Sequence, residues 1–241
     1  HRVKEDNLGM SLQIVPQTAI VLLSKTPFHA ACKTRMRPQL NNEECSMLQD
    51  AFLKDLLQVT TATALDTFVA YSPDSGEDYF ARFENIQKIF PQNSGSLGQR
   101  IVYALRQVFS YGYERIIVLG GDSPELQPQT LLNAGRRLDN ADVCIGPAMD
   151  GGYYLIALKE LHTEVFQQVP WGTDQVYQKT LQKAALHNLN TKELPKAYDI
   201  DDWNDLLALY ERLKREEYDF FPINTYQFIH KFVQKRGGRI E

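Results

Sequence analysis

The run Arg115-Ile116-Ile117-Val118-Leu119 is apolar and β-branched, and it stops abruptly at Gly120-Gly121-Asp122-Ser123-Pro124. A buried strand that ends in two glycines and then releases a carboxylate narrows the choice of fold. In open α/β sheets ligands bind at the C-terminal ends of the strands. The glycines allow a turn and a close approach of ligand to backbone. The plain alternative is a strand-to-helix turn in which Asp122 or Ser123 caps the helix that Pro128 opens. Two further acidic clusters, Asp150-Gly151-Gly152-Tyr153-Tyr154 and Asp199-Ile200-Asp201-Asp202, weigh against that alternative.

The rest of the chain alternates in the same style. Thr18 to Leu23, Thr67 to Tyr71, Asp142 to Ile145 and Tyr153 to Leu158 read as short buried strands, with Asn85 to Phe90 a weaker one. Between them lie segments with helical spacing. Asn41 with Glu44, and Ser96 with Gln99, form capping-box patterns ahead of two of these segments. Further helices are expected around Leu131 to Leu138, from Thr173-Asp174 to about His187, after Asp201-Asp202, and from Thr225 to Lys235, ending at Gly237-Gly238. The link Gly146 to Gly152 is too short for a crossover helix, so the strand after it runs antiparallel or leaves the sheet. The alternation predicts one α/β domain, a mostly parallel sheet covered on both faces. Its expected bounds are 18–215, with an N-terminal extension over 1–17 and a C-terminal helical extension over 216–241. Tyr218 to Phe221 and the last helix pack either on this domain or on a second copy, as a homodimer.

Charge and cysteine content exclude several classes. The net charge of −4 argues against nucleic acid as main partner. Runs such as Ala19 to Leu23 are too short to span a bilayer. Three scattered cysteines, Cys32, Cys45 and Cys144, lack metal-ligand spacing and read as reduced thiols of a cytoplasmic protein. The distribution of charge says more than its sum. No Asp or Glu occurs from Asn7 through Asn42, where Lys25, Lys33, Arg35 and Arg37 all fall. One part of the chain therefore suits an anion and another a cation.

Alternate side chains of an extended segment face the same way, so Asp199 and Asp201 can direct both carboxylates at one point. Such a pair is relieved by a cation, and oxygen donors select Mg2+ or Mn2+. Asp122, released at a strand end, is the natural third ligand. The alternative is that Asp201 or Asp202 caps the helix carrying Trp203. The loop Ser24 to Arg35 follows the first strand, where α/β folds hold phosphate, and its lysines and arginine supply the charge. A solvated basic loop is the competing reading. Gln92 to Arg100 sits at a helix start, whose free amides attract an anion or a base edge. Asp150 with Gly151 and Gly152 reads as a pocket wall, backed by Tyr153. Trp171 stacks on a sugar or simply packs. His29 and Cys32 have no partners for nucleophilic catalysis.

These segments in this order resemble a bacterial family of uncharacterised proteins in the nucleotide-diphospho-sugar transferase superfamily, with molybdenum cofactor and phospholactate guanylyltransferases as more distant relatives. The resemblance runs from about Ala19 to Leu213. It rests on Gly121-Asp122-Ser123-Pro124, Asp150-Gly151-Gly152-Tyr153-Tyr154, Pro170-Trp171 and Tyr198-Asp199-Ile200-Asp201. It implies a glycosyltransferase-A-type, Rossmann-like three-layer α/β/α sandwich. It also implies a metal carboxylate at Asp122, a paired-carboxylate element at Asp199 and Asp201, and a nucleotide-phosphate loop carrying Lys25, Lys33 and Arg35. Leu97, Gly98 and Arg100 then lie near the base. The family loop reads proline-glycine ahead of its Lys-Thr-Arg; here Phe28-His29-Ala30-Ala31 stands instead, which stiffens the loop or shifts the diphosphate.

The expected activity is metal-dependent transfer of a sugar from a nucleotide-diphospho-sugar to a small acceptor. Asp122 would act at the metal, and Asp150 would position the sugar or serve as the acceptor's base. The alternatives are a nucleotidyltransferase that expels pyrophosphate and a catalytically degenerate nucleotide-binding protein.

Overall fold

The computed structural model describes residues 16–235; the expected extension before Pro16 and the helix stop at Gly237-Gly238 lie outside them. The chain runs β1 (Thr18–Lys25), α1 (Asn42–Ala62), β2 (Asp66–Ser72), α2 (Glu77–Ala81), β3 (Lys88–Pro91), α3 (Leu97–Phe109) and β4 (Arg115–Leu119). It continues through α4 (Pro128–Arg137), β5 (Val143–Pro147), β6 (Tyr153–Leu158), α5 (Val176–Leu186), β7 (Thr191–Glu193), α6 (Trp203–Arg215) and α7 (Ile223–Lys235). Seven strands form one sheet in the order β3-β2-β1-β4-β6-β5-β7. β6 runs antiparallel to both β4 and β5, and the other pairs are parallel. A return from β5 to β6 in a few residues leaves room for a turn but not for a crossover.

The two faces of the sheet carry separate apolar layers because successive strand side chains point opposite ways. Ile20, Leu22, Val69, Ile117 and Leu119 face α1 and α4, meeting Leu53, Leu56, Leu131 and Leu138. Ala19, Val21, Ala70, Ile116 and Val118 face α3 and α5, meeting Leu105, Val108 and Ala184. Strands buried on both sides read as continuous apolar runs, and this is why β1 and β4 were legible. Both capping boxes form, Asn41 with Glu44 and Ser96 with Gln99. A third, Asp202 with Asp205, starts α6. Neither Asp122 nor Ser123 caps α4, whose N-cap is Gln127.

A third apolar cluster lies behind α1. Leu48 and Phe52 meet Leu206, Leu209 and Tyr210 of α6 and Ile229 of α7, with Tyr218 and Phe221 packed against them. The C-terminal helices thus pack on their own domain, and α1 is buried from two sides. Two carboxylates secure this layer, and neither stood out in the sequence. Asp55 of α1 is 1% exposed. It accepts hydrogen bonds from Asn224 N (3.0 Å), Asn224 Nδ2 (2.8 Å) and Thr225 N (2.7 Å), satisfying amides in the first turn of α7. Glu125 holds Arg212 of α6 through two bonds of 2.6 and 3.1 Å and accepts from Tyr218 Oη at 3.0 Å. This clamp anchors the loop after β4.

Candidate active-site cleft

The sheet order reverses at β1 and β4: from β1 the chain progresses outward to β2 and β3, then returns to the other side with β4. A crevice opens where the loops leave two such neighbouring strands in opposite directions. Here it is a cleft of about 630 Å3, within the range of small-ligand sites. The ends of β1 and β4 form its floor. Gln49 Nε2 donates to Ser24 Oγ at 3.2 Å, and Gln92 Nε2 donates to Ser24 O (3.2 Å) and Ala70 O (2.7 Å). A side chain at Gly120 would meet nothing within 4 Å, so that backbone lies open. Neither Gly120 nor Gly121 has a positive φ; close access, not an unusual turn, is what these glycines provide.

Asp122, Asp150, Asp199 and Asp201 all line this cleft. The 199–201 segment is drawn in by backbone pairing, Ile200 N to Asp122 O at 2.9 Å. The Ser123 hydroxyl stands 2.7 Å from Asp199 Oδ1 and 3.0 Å from Tyr198 O. Burial pushes the Asp199 carboxyl up to about 7, and the negative charges of Asp122, Asp150 and Asp201 add to the shift against the Ser123 bond. Asp201 is raised as well, by burial first and then by Asp122, while Lys33 and Arg35 pull it down. The cluster carries more negative charge than the cleft relieves.

Two basic residues from the loop after β1 nevertheless reach into it. Lys33 Nζ pairs with Asp122 Oδ1 and donates to Ile200 O at 2.9 Å. Arg35 Nη1 meets Asp201 Oδ2 at 2.8 Å. Partners 89 and 166 residues apart cannot be paired by reading locally; the parallel β1–β4 contact brings the loops of Lys33 and Asp122 together, and the backbone pairing of Ile200 with Asp122 brings Asp201 to them. The Lys33 side chain is 4% exposed and faces the acids, whereas that of Arg35 is 69% exposed on the rim. Among the described residues no group of three His, Cys, Asp or Glu is arranged to hold a metal ion, so the expected triad is not preformed. Each acid still keeps one oxygen to which no described residue donates: Asp122 Oδ2, Asp199 Oδ2 and Asp201 Oδ1. That donor set fits a hard cation shared with a substrate phosphate, the usual manner of binding Mg2+.

Of the other expected residues, Lys25, Leu97, Arg100, Gly152, Tyr153 and Trp171 line the cleft. Gly98 does not. It is buried, and a Cβ there would lie 2.8 Å from both Trp171 Cζ2 and Phe166 O, so this glycine seats Trp171. Trp171 also meets Tyr153 edge-on, ring centres 6.2 Å apart. It therefore packs and forms a wall at once. Gly151 lies behind the wall with φ +89°, and a Cβ would come 2.1 Å from Asp174 O; the position demands glycine. Asp150 Oδ1 accepts from Gly152 N at 2.9 Å, which holds the acid at the cleft edge. In the loop with the unusual Phe28-His29-Ala30-Ala31, Phe28 and Lys33 take positive φ, 66° and 47°. The loop reaches its place without the glycine, on strained residues. Reading the sequence assigned no role to Gln49, for which a polar residue on an otherwise buried helix stripe was the available signal, and gave Gln92 only as the start of the segment ahead of α3, not as a floor residue.

Residues 55–173 match the family described as "Uncharacterized protein conserved in bacteria (DUF2064)". No curated protein matches the chain. A crystal structure from Desulfovibrio desulfuricans G20, described as a "putative nucleotide-diphospho-sugar transferase", superposes with a TM-score of 0.81 at 29% identity, covering 91% of this chain and 98% of its own. A nucleotidyl transferase from Methanothermobacter thermautotroptrophicus gives 0.54 at 16% identity, covering 83% and 98%. The Rv0371c protein of Mycobacterium tuberculosis H37Rv, solved in complex with manganese, gives 0.51 at 15%, covering 82% and 99%. The fold is thus that of nucleotide-diphospho-sugar transferases and nucleotidyltransferases. No described helix is long and apolar enough to cross a membrane.

Proposed function

We propose that this chain, whose segment 55–173 matches that bacterial family, transfers a sugar from a nucleotide-diphospho-sugar to a small acceptor with the help of Mg2+ or Mn2+. One observation carries the reading: excess carboxylates and exposed basic groups share one cleft at the switch between β1 and β4. A diphosphate with its cation is the ligand that answers both charges. The free oxygens of Asp122, Asp199 and Asp201 would hold the cation, which when bound neutralises charge on the departing nucleoside diphosphate. Arg35 swings from Asp201 to the phosphates at little cost, because an exposed ion pair is worth only ~0–1 kcal/mol. Lys25, whose Nζ makes one 3.3 Å contact with Ala31 O, is similarly available.

Leu97 and Arg100 at the start of α3 would border the base, and Trp171 with the 150–152 turn would border the sugar. Asp150 stands at the edge where an acceptor hydroxyl arrives, placed either to orient the sugar or to take the hydroxyl proton. The fold likeness to nucleotidyl transferases supports the second reading, expulsion of pyrophosphate from a triphosphate. Products decide between them. The protein is incubated with Mn2+ and a panel of nucleotide-sugars or nucleoside triphosphates, and phosphorus products are followed by NMR. Nucleoside diphosphate released from a nucleotide-sugar supports the proposal. Pyrophosphate alone replaces it with nucleotidyl transfer. Binding without either product identifies a degenerate member; a ligand at ~100 times its Kd adds about 2.7 kcal/mol of thermal stability.

A further inference from the structure

We propose that Lys33 is the built-in cation of the acidic cluster, a positioning residue whose ammonium stands where a free divalent ion would otherwise be drawn. The inference concerns the same cleft and builds on its reading as a phosphate-and-metal site.

The surroundings of Lys33 are those of an internal strut and not of a phosphate arm. Its backbone is left-handed (φ 47°, ψ 41°) at the entry to the short turn Thr34–Met36, a conformation retained where surrounding structure enforces it. From there the side chain runs inward and ends 4% exposed. Every direction of the ammonium is used. It pairs with Asp122 Oδ1, donates to Ile200 O at 2.9 Å, and lies 4.3 Å from the centre of the Phe52 ring. Ile200 is itself fully buried, so its carbonyl has no water to fall back on.

Together with the bond from Ile200 N to Asp122 O, Lys33 ties the exit of β4 to the 199–201 segment at two points. Withdrawing it to a phosphate would leave a buried carbonyl unpaired and face Asp122 directly with its acidic neighbours. The reach to substrate therefore falls to Arg35 on the rim and to Lys25. A cation already fixed against Asp122 repels a second one. Free Mg2+ or Mn2+ is thus held weakly until phosphate oxygens complete its coordination.

The test uses the full chain and Mn2+ alone, titrated without nucleotide and followed by loss of the free Mn2+ EPR signal. K33M is expected to bind Mn2+ at least ~10-fold more tightly than the natural protein, since one positive charge in contact with the site is removed. K33M/D122N, balanced in charge, is expected to return to within about threefold of the natural value, because the two losses offset. Unchanged or weaker Mn2+ binding by K33M overturns the proposal. Should K33M fail to fold, the double variant decides: binding ~10-fold weaker than natural would mean that Asp122 serves the free metal regardless of Lys33. Because no nucleotide is present, these results are independent of whether the protein transfers a sugar. A tightened K33M in a protein that ignores every nucleotide would retain Lys33's role and discard the proposed function.

Discussion

Replacing Asp55 tests the clamp between α1 and α7 on which the third apolar cluster depends. The carboxylate is 1% exposed and receives three N–H groups at 2.7–3.0 Å, two of them backbone amides of Asn224 and Thr225. Hydrogen bonds to a charged group are worth ~1.5–3 kcal/mol each, but removing a buried carboxylate also removes its desolvation cost. Asn224 Nδ2 can turn to water; the Thr225 amide, in a residue with no exposed surface, cannot. D55A should therefore cost about 3–5 kcal/mol, the range for stripping one partner from a buried charged contact. D55N retains an acceptor oxygen and the shape, and should cost only ~1–2 kcal/mol. Urea unfolding monitored by circular dichroism gives both numbers. Hydrogen exchange at the Thr225 amide reports the site itself and should accelerate at least ~100-fold in D55A, at tenfold per 1.4 kcal/mol. A D55A loss below ~1 kcal/mol, or equal losses for D55A and D55N, would refute the assignment of this carboxylate as the cap of α7.

Three further outcomes are expected. G151A forces φ +89° on a residue with a Cβ and drives it against Asp174 O, so it should lower stability by ~2 kcal/mol or more and displace Asp150, read as a fallen melting temperature with weakened nucleotide-sugar binding. E125A leaves Arg212 and Tyr218 without their shared partner and should cost about 3 kcal/mol in chemical denaturation; an effect within ~0.5 kcal/mol would mean the clamp is solvated and weak. G98A pushes on the Trp171 ring and should shift its fluorescence while leaving Mn2+ binding unaltered; an unmoved spectrum would show that the ring has room.

How far the sequence reaches depends on whether the information is local. Strand, helix and cap signals act within a few residues, and they determined the order of most elements, the two-sided burial of β1 and β4, and the capping boxes at Asn41 and Ser96, while the short helix α2 between β2 and β3 went unread. They also pointed Asp122 at the crevice, because a carboxylate released at a strand end faces it, and the four acids do line one cleft. Side-chain pairing across the fold acts between residues with no local relation, and only the tertiary structure decided it. Lys33 meets Asp122 because β1 and β4 are neighbours in the sheet, and Arg35 meets Asp201 because Ile200 N pairs with Asp122 O beside them, not because either pair is marked in the chain. Asp55 and Glu125 carried no mark in the sequence, and only the packing of α6 and α7 gave them partners. Gly98 was expected beside the base, and the packing instead seats Trp171 on it. Which oxygens remain free for a cation, and which basic residue is free to leave the acids, are properties of that packing. They follow from burial and from long-range neighbours, two quantities that a linear pattern does not carry.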